Sequence, residues 1–394
     1  MSVVVAIGLA AGRTLVTAGL LGAREMGVMG VALLALGTLD AFTATGVETS
    51  LVSRRGKPEA DLDSAFTLQL SRAIVLAGVL CALALPTARF FATPQAAPVL
   101  WALAGVPLLR GIANPGVALL VRRAEFRRLF WWGLPEALVG FVVAVALAVT
   151  RRDVWALVAG ALASQLTATI ASYAAAPYRP RLKLRGRGMR RLLHHAKWMQ
   201  GTRILMFASL RADDLAVGRF LGTEALGLYQ VAFRIAEIPV LTFTRAAAQV
   251  ALPLLAQTRR DPERLRRRHA GILASVVAVN SAFAALVLLL GGTVVEQVLG
   301  PAWRPIVPSL RILSGAMILR GVMIVVAQLF YAVGRPQPTL WANAVRLGVT
   351  LALLYPFIAA AGLAGAAAAV LVAHLISAAV ALTQAWRLRR APVS

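Results

Sequence analysis

The sequence predicts an all-α integral membrane protein of about twelve transmembrane helices, arranged as two pseudo-symmetric six-helix lobes. Three observations carry that prediction. The chain of 394 residues is 59% hydrophobic, with a mean hydropathy of +0.75. Its Lys and Arg residues crowd into alternate connectors between apolar runs. The second half of the chain also echoes the first at a nearly fixed offset.

A soluble domain is about 45–50% apolar. Only a bilayer solvates this much outward-facing Leu, Val and Ala. A bilayer core of about 30 Å takes about 20 helical residues. Apolar runs of that order lie near 3–21, 27–52, 64–86, 97–121, 130–149, 154–176, 198–220, 225–255, 268–291, 305–333, 338–359 and 362–386. Their length, their Ala and Leu content and the absence of period-2 alternation exclude membrane strands. The first run is followed at once by a second, which marks it as a span rather than a cleaved leader.

The formal charge of +25 would point to nucleic acid in a soluble chain. Its placement excludes that partner. One set of connectors carries Arg54, Arg55 and Lys57; Arg122, Arg123, Arg127 and Arg128; eight cations in 177–197; six in 256–268; Arg335; and Arg387, Arg389 and Arg390. The other set carries Arg24, Arg89, Arg151, Arg152 and Arg304. The positive-inside rule puts the first set, and with it both termini, on the cytoplasmic side. Residues 1–176 then form an N-terminal six-helix lobe, 177–197 a basic cytoplasmic linker and 198–394 a C-terminal six-helix lobe. Cys81 is the single cysteine, so no disulfide forms within the chain. His194, His195, His269 and His374 lack metal-ligand spacing. No metal or other cofactor is expected.

The halves resemble each other. Residues 21–32, LGAREMGVMGVA, match residues 221–232, LGTEALGLYQVA, at an offset of 200. Leu109-Arg110-Gly111 matches Leu319-Arg320-Gly321 at an offset of 210. Both halves start on the same side with six spans, so the repeat is parallel, about an axis along the membrane normal. Gly22 and Gly222 suit the left-handed residue that ends a helix in a tight hairpin.

Eleven cations fall within spans: Arg13, Arg72, Arg110, Arg203, Arg211, Arg219, Arg234, Arg245, Arg311, Arg320 and Arg346. The acids there are Asp40, Glu48, Glu136, Asp213, Asp214 and Glu237. A charge at a helix centre costs about 2.5–3.5 kcal/mol on insertion scales. Such charges must pair with one another or face water. Arg203 and Asp214 lie about 20° apart on a helical wheel. Arg211 and Asp214 form an i, i+3 pair, as do Arg234 and Glu237. Arg245 lies on the face of Arg234, and Pro239 is placed to kink that helix. By the repeat, Arg13 corresponds to Asp213. Taken singly, a charge also admits the reading of a structural ion pair that holds helices together. As a set, cations outnumber acids, which suits a polar cavity that takes an anion, since arginine grips phosphate with two parallel hydrogen bonds. The expected substrate-binding residues are Arg13, Arg203, Arg211, Arg234 and Arg245. The expected cavity or ion-coupling acids are Asp40, Glu48, Asp213, Asp214 and Glu237. Arg219 and Arg311 sit near helix ends and suit snorkelling. Arg72 and Arg346 are left unassigned.

These residues also carry a family resemblance. The hairpin from Leu21-Gly22 through Gly27 to Gly46-Val47-Glu48-Thr49-Ser50-Leu51-Val52-Ser53-Arg54 is one part of it. Asp213-Asp214-Leu215-Ala216-Val217-Gly218-Arg219-Phe220-Leu221-Gly222 with Leu226-Gly227-Leu228-Tyr229, and Pro253-Leu254-Leu255-Ala256, are the others. The chain resembles the polysaccharide transporter (Wzx-type oligosaccharide flippase) branch of the multidrug/oligosaccharidyl-lipid/polysaccharide exporter superfamily. The resemblance implies a V-shaped bundle, alternating access, and transport of an undecaprenyl-pyrophosphate-linked glycan across the bacterial inner membrane. It implies that Arg13, Arg211 and Arg234 engage the pyrophosphate, and that H⁺ or Na⁺ is the coupling ion. The implied partners are membrane lipid, a lipid-linked oligosaccharide, a polysaccharide polymerase and glycosyltransferases, around a monomeric transporter that is not an enzyme. Most members of that family carry about fourteen helices, against twelve accounted for here. An ion-coupled drug antiporter of the same superfamily is the first alternative, and the net basic cavity disfavours it. A membrane-embedded glycosyltransferase or ligase is the second; the short outer connectors disfavour it.

Overall fold

The computed structural model describes residues 2–43, 62–123, 125–183, 204–205, 207–258 and 261–390. Among these residues there is no strand, and each of the twelve apolar runs carries helix. The chain divides into two compact units, Met1–Phe207 with Gly222–Glu224, and Ala208–Leu221 with Ala225–Ser394.

The first unit opens with α1 (Ser2–Leu21) and α2 (Ala23–Thr43). Gly22 joins them with φ +88, a conformation that costs a residue with a Cβ but not glycine. Then come α3 (Leu62–Phe90), α4 (Ala96–Leu103), α5 (Gly105–Gly111), α6 (Val117–Arg122), α7 (Phe126–Arg151) and α8 (Trp155–Ala175). The expected fourth span is therefore broken into α4, α5 and α6. Asn114 and Pro115 explain the second break. The Asn114 carboxamide oxygen accepts from the Gly116 N–H at 2.9 Å, a local turn that competes with helix, and Pro115 has no N–H to give. Glycines bring α7 and α8 close. A Cβ on Gly140 would lie 2.8 Å from the Ser164 Cβ, and one on Gly160 2.6 Å from the Ala144 Cβ. The Glu25 carboxylate accepts the Val154 N–H at 3.0 Å at the start of α8, a placement the helix dipole favours.

The start of the basic connector is docked on this unit. The Tyr178 hydroxyl donates to the Asp63 carboxylate, and the Arg181 N–H donates to it at 3.0 Å. The Lys183 N–H donates to the Thr67 hydroxyl at 2.8 Å. The buried Asn114 amide donates to the carbonyls of Ala176 at 3.2 Å and Tyr178 at 2.7 Å. Tyr178 also packs on Leu62, Ala65 and Leu68. Burial, and then the Asp63 carboxylate, push the Tyr178 phenol well above its usual range, so it remains a donor. Residues 184–197 of the expected linker lie outside the described residues.

The second unit holds α9 (207–220), α10 (Thr223–Ala236), a π-turn at Val240–Thr244, α11 (Arg245–Gln257), α12 (Pro262–Leu299), α13 (Ile306–Ala332) and α14 (Gln337–Arg390). Pro239 cannot donate to the preceding turn, and the π-turn absorbs the misfit. The pair α10–α11 is bent by 52° there, as the sequence led one to expect of Pro239. Asp261 caps α12 by accepting the Arg264 N–H at 3.0 Å. The helix α14 is interrupted at Ala361 and Gly362, whose φ is +55, and so holds the last two expected spans. Ala251, Leu255, Val326, Leu329, Phe330 and Ala342 form one core of this unit.

Seven described helices are long and apolar enough to cross a membrane, and the bent pair α10–α11 makes eight. Their outward faces are apolar: Leu289 is 79% exposed, Trp341 67% and Ile170 63%. In water such faces would be an aggregation hazard; in lipid they are solvated. The protein is a multi-pass membrane protein.

Candidate functional site

Charges within spans are the functional candidates, and each unit gathers its own. In the first unit, Asp40 near the end of α2 pairs with Arg72 on α3. Arg72 also donates to the Asp40 main-chain carbonyl at 3.1 Å and to the Thr43 hydroxyl at 3.3 Å. Arg110, at the end of α5, comes within 3.9 Å of the same carboxylate oxygen. Its backbone is fixed by Gln69, whose amide donates to the carbonyls of Arg110 at 2.7 Å and Ala113 at 3.3 Å. Glu136 on α7 is half-buried, within the field of Arg110 and Arg13. Among the described residues this group holds three guanidinium groups and two carboxylates.

In the second unit, Arg211 bonds Asp214 at 2.8 Å, one turn along α9. Asp213 is buried and accepts from the Tyr229 hydroxyl at 2.8 Å. Gln230 donates to Asp214. Glu237 bonds Arg320 on α13 at 2.8 Å, with the two side chains 12% and 14% exposed. Arg320 lies 6.0 Å from the Phe233 ring centre, within reach of a cation–π contact. Arg346 on α14 is buried, donates to the Ser209 carbonyl at 3.0 Å, and feels Arg320 and Asp213. His374 is buried beside Arg346, its Nδ1 2.8 Å from the Val370 carbonyl oxygen. Among the described residues, Arg211, Arg320 and Arg346 here stand with Asp213, Asp214 and Glu237, three charges of each sign. Arg211–Asp214 and Arg320–Glu237 are ion pairs, while Asp213 and Arg346 are met by a hydroxyl and a carbonyl, which fits the requirement that intramembrane charges have partners.

The structure sorts the expected residues accordingly. The i, i+3 pair Arg211–Asp214 forms as the spacing indicates. The other one does not: Glu237 is taken by Arg320, and Arg234 is exposed. The reason is desolvation, since a carboxylate turned into the bundle gains more from a guanidinium that shares its low-dielectric setting than from one at the surface. Arg245 is also exposed. Arg13 is half-buried on α1, with its main-chain carbonyl accepting from Thr17 at 2.7 Å. Arg203 and Glu48 lie outside the described residues. The residues that sequence reasoning did not assign to the site are Arg72, Arg110, Glu136, Arg320, Arg346 and Tyr229. The signal for two of them was present in the Leu-Arg-Gly echo. Among the described residues, no group of three His, Cys, Asp or Glu could hold a metal ion.

The repeat is visible in the packing of each unit. A Cβ on Gly111 would lie 2.3 Å from the Ala73 Cβ and 3.6 Å from the Gln69 carbonyl oxygen. A Cβ on Gly321 would lie 2.8 Å from the Asn280 Nδ2 and 3.0 Å from the Val276 Cγ1. Both glycines cross a neighbouring helix at two residues one turn apart, and each follows the arginine that reaches an acid of the second span.

A family described as polysaccharide biosynthesis protein matches residues 16–308 of the chain. The succinoglycan biosynthesis transport protein ExoT of Rhizobium meliloti (strain 1021) is 29% identical over 63% of this chain and 50% of its own length. The lipopolysaccharide biosynthesis protein WzxC of Escherichia coli (strain K12) is 22% identical over 82% and 66%. The matches thus span half to about two thirds of these two relatives. Among solved structures, the inward-closed lipid II flippase MurJ superposes with a TM-score of 0.80 at 14% identity, over 98% of this chain and 86% of its own. An inward-facing multidrug resistance transporter of the MATE family, in the MOP superfamily, gives 0.76 at 14% identity, over 99% and 95%. At such identities the likeness is one of fold.

Proposed function

Since the chain belongs to the polysaccharide biosynthesis protein family matched over residues 16–308, we propose that it is a flippase. It moves an undecaprenyl-pyrophosphate-linked oligosaccharide across the bacterial inner membrane by alternating access. The basic connectors face the cytoplasm in this reading. The fold likeness to MurJ and to MATE transporters supports the reading, and so do relatives named for succinoglycan transport and lipopolysaccharide biosynthesis.

The observation that carries it is the sorting of the intramembrane arginines. Arg211 is matched by Asp214 and Arg320 by Glu237, whereas Arg234 and Arg245 are exposed on their spans, and Arg110 lies 3.9 Å from a carboxylate that Arg72 already holds. Exposed guanidinium groups at membrane depth are stabilised by an anion, and a pyrophosphate offers the oxygens for paired hydrogen bonds. In the first unit Arg13 and Arg110 are the arginines proposed for the pyrophosphate and glycan, and in the second Arg234 and Arg245; Arg203 is proposed with them, and Arg211 becomes available when Asp214 is protonated. Asp40, Asp213, Asp214 and Glu237, with Glu48, exchange H⁺ or Na⁺ and so link the cycle to an ion gradient. No chemical step on the substrate is involved.

The test is translocation of a fluorescent lipid-pyrophosphate sugar in proteoliposomes. Arg234→Ala with Arg245→Ala lowers the initial rate by at least about tenfold, as expected for loss of charge-assisted contacts. Wild-type rates from the double variant refute the phosphate role of these arginines.

A further inference from the structure

The Leu-Arg-Gly echo gives each unit an arginine that follows the same local plan. Arg110 and Arg320 both precede a glycine pressed against a neighbouring helix, and both reach an acid of the unit's second span. The two copies differ in how the pair is closed. Arg320 and Glu237 are 2.8 Å apart, with side chains 14% and 12% exposed. Arg110 and Asp40 are 3.9 Å apart, with side chains 52% and 41% exposed. The first is a hydrogen-bonded, desolvated pair; the second is beyond hydrogen-bond length and open.

Asp40 nevertheless has a firm partner. Arg72 holds its carboxylate, its main-chain carbonyl and the next-turn Thr43 hydroxyl at once. Gln69 pins the main-chain carbonyl of Arg110, while its half-exposed guanidinium stays 3.9 Å from the carboxylate. The carboxylate therefore sits between one guanidinium that grips it and one that merely leans on it. Glu136, within the field of Arg110, adds a second acid, and Arg13 a third cation.

Resting on the flippase reading above, we propose that Asp40 is a placeholder for the phosphate of the substrate. It keeps Arg110 in position while the site is empty. An incoming phosphate or pyrophosphate group takes Arg110 from it, while Arg72 keeps Asp40 from following. Phosphate opens the pair of the first unit only, and the second unit's copy is a brace that phosphate does not open. The same chemistry serves free pyrophosphate and a lipid-linked one, and the two are separated by using both as probes.

The experiment titrates the full chain, purified in detergent, with inorganic pyrophosphate and separately with a short-chain polyprenyl pyrophosphate, read by isothermal calorimetry. Asp40→Asn removes the competitor and tightens binding by about fivefold. Arg110→Ala weakens it by at least about tenfold, and the double variant behaves like Arg110→Ala. If the lipid-linked probe alone follows this pattern, the site is selective for the lipid; if both follow it, the headgroup suffices. Either result supports the placeholder. Binding by the wild type that Asp40→Asn leaves unchanged or weakens overturns the placeholder and spares the flippase reading. No binding of either probe by folded wild type and folded Asp40→Asn overturns the phosphate reading itself. Should Asp40→Asn fail to fold, Arg110→Ala decides: unchanged affinity there overturns the proposal. Arg320→Ala lowers the unfolding temperature further than Arg110→Ala does, and the reverse order overturns the assignment of brace and exchanger.

Discussion

Replacing Gly111 by Ala is the sharpest test of how the site is built. The new methyl would sit 2.3 Å from the Ala73 Cβ, whereas two carbons rest at about 3.5–4.0 Å. Ala73 is buried on α3, and both carbons are fixed to helix backbones, so no rotamer change relieves the clash. The helices must part by roughly 1.2–1.7 Å or slide. Overpacking of this kind costs about 1–3 kcal/mol, and a clash with no flexible end belongs at the upper limit. The displacement also moves Arg110, whose carbonyl is held by Gln69. The compensating change is Ala73→Gly. Alone it costs about 1 kcal/mol, the usual penalty of glycine in a helix. Combined with Gly111→Ala it restores the space, so the double variant lies about 2 kcal/mol above the single Gly111→Ala. Thermal unfolding in detergent measures all three variants. The counterpart Gly321→Ala meets the Asn280 amide at 2.8 Å, a side-chain end, but one already donating to the Thr244 hydroxyl at 3.0 Å and the Val276 carbonyl at 2.8 Å. It is destabilising by a smaller margin. A neutral Gly111→Ala, or an Ala73→Gly that fails to rescue it, refutes the close crossing and the positioning of Arg110 that depends on it.

Two further outcomes follow from single contacts. Tyr229→Phe strips the buried Asp213 carboxylate of its hydroxyl donor and costs about 1–2 kcal/mol, measured as a drop in unfolding temperature; an unchanged temperature contradicts the pairing. Asp63→Asn removes the charge that holds Tyr178 and the Arg181 N–H, releasing the start of the connector; trypsin then cuts after Arg181 and Lys183 at least about tenfold faster, followed by mass spectrometry, and equal rates contradict the docking.

Much of the fold was legible because the bilayer sets a length and a composition that few residues disguise. The twelve runs carry helix for that reason, and Gly22 and Gly222 sit at φ +88 and +89 because a tight helix turn needs a residue free of Cβ. What local spacing decides was legible too: Arg211 meets Asp214 because three residues bring them to one face. Partners distant in the chain were not. Arg234 has the same spacing to Glu237, yet Arg320 takes the acid, and only the packing of α13 on α10 reveals it. Likewise the break at Asn114 is readable from Asn-Pro, but its two bonds to the carbonyls of Ala176 and Tyr178 are not. The bare excess of arginine over acid was a property of the whole chain; which arginines an acid takes, as Glu237 takes Arg320, and which stay exposed, as Arg234 does, belongs to the three-dimensional arrangement.

The doubled glycine crossing bears on how such a molecule changes by mutation. Gly111 admits no larger residue without moving a helix, and Gly321 none without displacing the side chains of Asn280 and Val276, so this part of each copy resists drift. The arginine one residue earlier is not fixed by that crossing, since only its backbone is set by the glycine. A duplicated gene could therefore keep one joint in both copies and rewrite the charge beside it independently. Under that division of labour, exchanging only the acids and arginines near Asp40 retunes what the first unit accepts, while the frame that carries them stays as inherited.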